Sequence, residues 1–245
     1  MILRNLGSGS GGNASLVEHD GRAILIDAGL RKERILPALE GLELEGVLIT
    51  HRHSDHLGRD AQKLGAPVWI EKENWRDAHR RNWIDDDVEH FTEEPLRLGP
   101  FAVTPFALPH PGHERWNSYG FRVECGRRRL AYATDLGSVP AEVGAALSNV
   151  HVVFLESNHD VDLERRSGRA PGHVDWVLSD HGHLSNEQCA EALTRIGKPH
   201  TVVLGHLSRD CNTPELALDL ARKALPRSVR VFAARQNVAT DAVSV

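Results

Sequence analysis

Directly after the apolar run Gly46-Val47-Leu48-Ile49-Thr50 the chain reads His51-Arg52-His53-Ser54-Asp55-His56. Three imidazoles and a carboxylate thus stand at the end of a short β-branched strand, where a turn can gather them around a cation. No other segment constrains the fold as much, because any further donors must come from loops that end at the same place. Imidazole nitrogen and carboxylate oxygen suit Zn²⁺, Mn²⁺ or Fe²⁺. One or two histidines at a strand end are ordinary polar loop residues. Three in six positions, spaced around an acid, are not.

The chain has 245 residues, enough for one large α/β domain with a substantial core, and its 15 histidines are an excess for that length. A net charge of −5 excludes a global basic field for nucleic acid. A polyanion would have to be held by a local patch or by bound metal. Cys125, Cys189 and Cys211 form no CxxC pair and leave one unpaired, which supports neither a disulfide framework nor a thiolate zinc knuckle. The apolar stretch at the N-terminus is too short for a signal peptide, and no run approaches membrane-spanning length. A soluble cytoplasmic protein without membrane association is expected.

The first half reads as strands between glycine-rich turns, at 2–6, 14–18 and 23–27. A helix over 32–40, a strand over 46–50, a helical segment ending near Leu64 and a strand at Val68–Ile70 follow. Residues 71–87, with Trp75 and Trp83, are charged and read as a partly helical lid or insertion. Strands at 101–107, 118–124 and 129–134 suit antiparallel sheet. From Pro140 helix and strand alternate: helices at 141–147, 186–196 and 214–224, strands at 150–155, 201–204 and 229–233. Cys189, Leu193 and Ile196 share one helical face, which makes Cys189 a core thiol. A β-rich half followed by an α/β half, with no Pro/Ser-rich linker, predicts a single domain over 1–245 with two βα layers packed sheet to sheet.

Four more apolar strands end in a polar donor: Phe106-Ala107-Leu108-Pro109-His110, Tyr132-Ala133-Thr134-Asp135, Phe154-Leu155-Glu156 and Val203-Leu204-Gly205-His206. A dinuclear site needs such repetition. Each metal takes about three protein ligands with one position left for water, and paired metals in hydrolytic sites lie ~3.5–4 Å apart.

His51-x-His53-x-Asp55-His56, with His110, Asp135 and His206 downstream, resembles the metallo-β-lactamase superfamily over nearly the whole chain. Ser8-Gly9-Ser10-Gly11-Gly12-Asn13, Leu25-Ile26-Asp27-Ala28-Gly29, Thr134-Asp135-Leu136-Gly137, Glu156-Ser157-Asn158-His159-Asp160, Gly182-His183-Leu184-Ser185-Asn186 and Gly205-His206-Leu207-Ser208 are similar to its YycJ/WalJ-type exonuclease branch. The resemblance implies an α/β fold of the αββα sandwich type, two mixed sheets face to face with helices outside. It also implies two divalent transition-metal ions, zinc or manganese with iron as a further candidate, and a metal-bound hydroxide acting on DNA with 5′–3′ polarity. A place in DNA repair goes with it. His51, His53 and His110 would bind the first metal, Asp55, His56 and His206 the second, and Asp135 would bridge. Two divalent cations less Asp55, Asp135 and a hydroxide leave about +1 in a dry crevice, which attracts a phosphodiester.

The resemblance further implies His183 as a non-ligand histidine beside the scissile phosphate, paired with Glu156; these two and Asp55 make up the catalytic assignment. Asp27 is expected to orient a ligand histidine, Asn13 to hold its loop, and His159, Asp160 and Ser208 to support the site or meet substrate. The turn at 8–12 can cradle phosphate or simply close a hairpin. Trp116, beside His113, can stack on a base. Arg165, Arg166 and Arg169 can track phosphates. Cys211 and the stretch 170–180, with His173, Asp175 and Trp176, depart from the branch pattern; the first removes a polar contact at its position and the second argues against a strong duplex-binding surface. Two other functions use the same residues: a thioester or lactone hydrolase, and a metal-stabilised nucleic-acid-binding protein with little turnover.

Overall fold

The computed structural model describes residues 1–110, 118–236 and 238–245. The first sheet is built from β1 (Ile2–Gly7), β2 (Ala14–His19), β3 (Arg22–Ile26), β4 (Glu43–Ile49) and β5 (Val68–Ile70), with α1 (Lys32–Ile35) and α2 (Lys72–Arg80) interspersed. The second holds β6 (Leu96–Leu98), β7 (Phe101–Leu108), β8 (Ser118–Cys125), β9 (Arg128–Ala133), β10 (Val152–Glu156), β11 (Thr201–Gly205) and β12 (Arg230–Ala233). Between its strands lie α3 (Ala141–Leu147), α4 (Val161–Arg165), α5 (Pro171–Val177), α6 (Asn186–Arg195) and α7 (Pro214–Ala224). Finally β13 (Val243–Ser244) returns to pair antiparallel with β1, so the strand orders are β13-β1-β2-β3-β4-β5 and β12-β11-β10-β9-β8-β7-β6.

Both sheets are mixed, and the expected sandwich is what forms. Parallel strands β10 and β11 are buried along their whole length, which is why they read as unbroken apolar runs, whereas β7 alternates buried and half-buried positions. Leu3, Val17, Ile24, Ile26 and Leu48 from the first sheet meet Phe101, Phe121, Leu130, Tyr132 and Phe154 from the second. Tyr132 and Phe154 stack with ring centroids 4.5 Å apart. Outside the second sheet, α3, α6 and α7 cover Ala131, Val153 and Leu204, with Cys189 buried in that layer as its spacing predicts. Among the described residues no helix is long and apolar enough to cross a membrane.

Two expected helices are shorter than anticipated. α1 gives way at Leu36–Leu39 to a 3₁₀ turn containing Pro37, which has no N–H to continue the α-helical ladder. Only a 3₁₀ turn at Ala61–Lys63 precedes Leu64. The stretch 71–87 is not a detached lid. Trp75 and Trp83 pack on the outer layer of the first sheet. The Arg52 main-chain N–H donates to Asn74 Oδ1 at 3.1 Å, and Arg52 Nε lies 2.6 Å from Asp77 Oδ2, so α2 braces the histidine loop.

The loop after β3 braces it from the other side. Asn13 and Ala28 donate main-chain N–H groups to the carbonyls of Asp55 and His56 at 2.7 and 2.9 Å. A Cβ on Gly29 would lie 1.7 Å from the Asp55 carbonyl oxygen. Because that neighbour is backbone, Gly29→Ala must push two chain segments apart, and we expect a loss of about 1–3 kcal/mol in urea unfolding. An unchanged unfolding midpoint would mean that the loop yields freely.

Candidate metal centre

Strand direction decides where the donors meet. β1, β3 and β4 run one way in the first sheet. In the second, β7, β9, β10 and β11 likewise share a direction. Ser8, Asp27, His51, His110, Asp135, Glu156 and His206 all lie at or just beyond the carboxyl ends of these strands. Hydrogen bonds across the two sheets join those ends: the His206 N–H donates to Ser8 Oγ at 2.8 Å and the Tyr119 N–H to the Thr50 carbonyl at 3.0 Å. Asp27, Asp135 and His206 leave their strands with positive φ (61°, 59° and 54°). These residue types tolerate that region better than most, and such outliers gather at functional sites.

The structure brings all seven expected ligand residues together. Donor atoms of His51, His53 and His110 lie within 4.8 Å of one another, and so do those of Asp55, His56 and His206. His51 Nε2 faces His53 Nδ1 at 2.8 Å. Asp135 stands between the two groups. Its Oδ2 is 2.9 Å from His56 Nε2 and 3.7 Å from His206 Nε2, while its Oδ1 is 3.9 Å from His110 Nε2.

Four of the inward-facing imidazoles are held from behind through their other nitrogen. His56 Nδ1 meets Asp27 Oδ2 at 2.7 Å, and Asp27 Oδ1 accepts from the Thr50 N–H and hydroxyl, both at 2.9 Å. His110 Nδ1 donates to the Gly182 carbonyl at 2.7 Å. His206 Nδ1 donates to Glu156 Oε1 at 2.9 Å, and His183 Nδ1 meets the same oxygen at 2.8 Å. Such partners set the tautomer and direction of a ligating ring. Glu156 is fully buried, and its Oε1 is shared between His183 and His206.

Charge divides the site in two. Burial drives His51, His53 and His110 toward the neutral form, His53 down to about 4, although Asp135 pulls the other way. Burial also acts on His56 and His206, but there the carboxylates led by Asp135 prevail and raise both, His206 to about 10. Asp55, Asp135 and Glu156 fall below the usual carboxylate range. Burial opposes this and the neighbouring imidazoles outweigh it. In the metal-free chain, protons on His56 and His206 therefore balance buried negative charge. A divalent cation would take over that role and release them. Nε2 of His110 and of His206 are buried and make no hydrogen bond, as befits nitrogens shaped for a metal. The donor set fits the ions.

Other expected residues fall differently. Asn13 is buried beneath the loop: its Oδ1 accepts from the Gly9 N–H at 2.8 Å and its Nδ2 lies 2.9 Å from His56 Nε2. Asp160 caps α4 through the Leu163 N–H, and Ser208 closes a turn by accepting from the Cys211 N–H. Both are local scaffolding. His159 is buried outside the convergent group, its main chain bridging Ser185. Of the arginine cluster, Arg169 is committed to Glu164 and Asp210, and Arg166 lies 3.5 Å from Asp162. Two of its three arginines thus face carboxylates. His113 and Trp116 lie outside the described residues.

Sequence reasoning missed several participants. Ser8, 198 positions from His206, and the Gly182 carbonyl carry no local signal for their roles. Asn158, which donates to the His206 carbonyl at 2.7 Å, stands in a polar strand-end cluster that could have pointed to it. Trp176 packs its ring against those of His110 and His183, at centroid separations of 5.6 and 5.4 Å.

Comparison with known proteins agrees with this architecture. Residues 22–207 match the model of the beta-lactamase superfamily domain. Exodeoxyribonuclease YycJ of Bacillus anthracis is 34% identical over 226 residues, covering 86% of this chain and 84% of that protein. Exodeoxyribonuclease WalJ of Streptococcus pneumoniae serotype 2 is 30% identical over 227 residues, covering 86% and 83%. The metallo-beta-lactamase fold protein YhfI from Bacillus subtilis superposes with a TM-score of 0.74 at 17% identity over 98% of each chain. The chain belongs to the beta-lactamase superfamily and has the metallo-β-lactamase fold.

Proposed function

We propose that this chain is a two-metal phosphodiesterase that degrades DNA from an end, in the 5′–3′ direction that its resemblance implies. Relatives named exodeoxyribonucleases, similar over most of the chain, support a nuclease. His51, His53 and His110 would hold one ion, Asp55, His56 and His206 the other, with Asp135 between them. Bound there, zinc or manganese, with iron a further candidate, would polarise a phosphoryl oxygen and activate water.

One observation carries the phosphodiester reading: the Glu156–His183 pair at 2.8 Å beside the donor cluster. Through Nδ1 Glu156 orients the ring, leaving Nε2 for a substrate. The His183 side chain keeps 14% of its surface exposed, whereas Glu156 keeps none. A sugar alkoxide is a strong base and departs badly without a proton. A thiolate, with a thiol pKa of ~8.5, departs unaided. A positioned proton donor is therefore useful for cleaving a phosphodiester and superfluous for a thioester. Asp55, at the more open side of the cluster, faces both His56 and His206 Nε2 at 3.5 and 3.6 Å.

Three outcomes are expected. Elemental analysis of loaded protein should find close to two metal ions per chain, and Asp135→Ala should lose at least one of them together with activity. A single tightly held ion in the wild type would sink the dinuclear reading. His183→Ala should retain metal yet turn over ~10²–10⁴-fold more slowly, with partial rescue by a nitrophenyl phosphodiester, whose leaving group needs no proton. Loss of metal would instead make His183 a ligand. With Mn²⁺ present, linear DNA should be degraded and covalently closed circles spared. Equal cleavage of both excludes an exonuclease, and cleavage of neither beside brisk thioester hydrolysis gives the site to thioesters.

A further inference from the structure

Trp176 is the large aromatic that packing does not account for. Trp69, Trp75 and Trp83 pack against the core layers, but Trp176 belongs to none of them. Its described ring neighbours are all histidines: His110 at 5.6 Å, His183 at 5.4 Å and His173, one turn earlier on α5, at 6.0 Å. The indole is half-buried and His173 is exposed. His183 meets it at 89° and His110 at 61°, so these contacts are edge-on, and no described ring lies flat on it.

The main chain around Trp176 is also held firmly. The His183 N–H donates to the Val177 carbonyl at 3.0 Å. A Cβ on Gly182 would lie 2.1 Å from the Trp176 carbonyl oxygen, so the chain after α5 folds tightly back on it. Gly182 in turn accepts from His110 Nδ1. The segment from Trp176 to His183 thereby fixes one donor of the metal cluster, the proton-donating histidine and the indole in one rigid piece.

We propose that Trp176, flanked by His173, is the surface on which a nucleobase at the DNA end stacks while the adjoining phosphate lies at His183. The inference rests on the phosphodiesterase reading above. A π-face beside the reacting phosphate favours bases without discriminating among them, as an exonuclease of weak sequence preference requires. It also supplies the affinity that the paired arginines of α4 and its flank do not.

The test uses metal-loaded protein and two single-stranded oligonucleotides that differ only in whether the terminal nucleotide carries a base or is abasic. On the base-bearing end, Trp176→Ala should raise KM ~10- to 100-fold with kcat little changed, and Trp176→Phe should recover most of the loss. On the abasic end, wild type should already show the raised KM, and Trp176→Ala should add nothing. An equal fall in kcat on both ends would overturn the proposal and make Trp176 a positioning residue for His183. An unchanged KM on the base-bearing end would overturn it as well. If the wild type cleaves neither oligonucleotide while retaining its metal, the phosphodiesterase reading fails and stacking falls with it. Metal content and thermal midpoint of each variant separate these results from misfolding.

Discussion

Buried negative charge sets the terms for the rest of this molecule. Asp27, Asp135 and Glu156 are almost wholly removed from water, and Asp55 largely so. Isolated carboxylates in such a place are very costly, and they persist only when positive charge and hydrogen bonds surround them. Here five imidazoles from three loops provide both. Two of them take up protons because of the carboxylates, while three are driven neutral by burial. A site with excess negative charge on one side and neutral imidazoles on the other suits divalent metal.

Glu156 links the two functions of the site. One oxygen serves His206 and His183 together, and the other accepts the Leu136 N–H at 2.9 Å, one residue beyond Asp135. A single side chain therefore touches His206, the loop that carries Asp135, and His183. Effects of changes at these positions will not add, because they share an acceptor. The chain must spend a fully buried charge at this point, and the strand end of β10 is where a parallel sheet can place one.

The scaffold around the centre is stiff. α2 is tied to the histidine loop by Arg52 and Asn74, and the loops after β1 and β3 hold it by main-chain bonds. Arg166 and Arg169, just beyond α4, face carboxylates, and the chain as a whole carries −5. On the proposed function, attraction for a polyanion would arise at the centre itself, from cations held there and from aromatic contact beside them. That arrangement favours short, local engagement of a strand over tracking along a duplex.

The ligand loop, the strand-end histidines and the bridging aspartate were legible in the chain because their signal is local: an apolar run followed at once by a donor. His51 to His56, His110, Asp135 and His206 all carry it, and strand alternation together with continuous apolar runs declared two sheets. The same reasoning overextended helix 32–40 across Pro37 and left 71–87 open as a lid or an insertion, since propensity does not reveal what a helix packs against. Asp160 and Ser208, expected to support the site or meet substrate, have a helix N-terminus and a turn as their partners, and Arg166 and Arg169 have nearby acids. Ser8 supporting His206, the Gly182 carbonyl aligning His110 and Trp176 standing against His183 have no sequence signature. Each depends on segments far apart in the chain, or on main-chain atoms common to every residue. The sequence by itself determined which side chains can bind metal. Only the tertiary structure, by bringing the carboxyl ends of seven strands to one edge, decided what stands behind each of them and what stands in front.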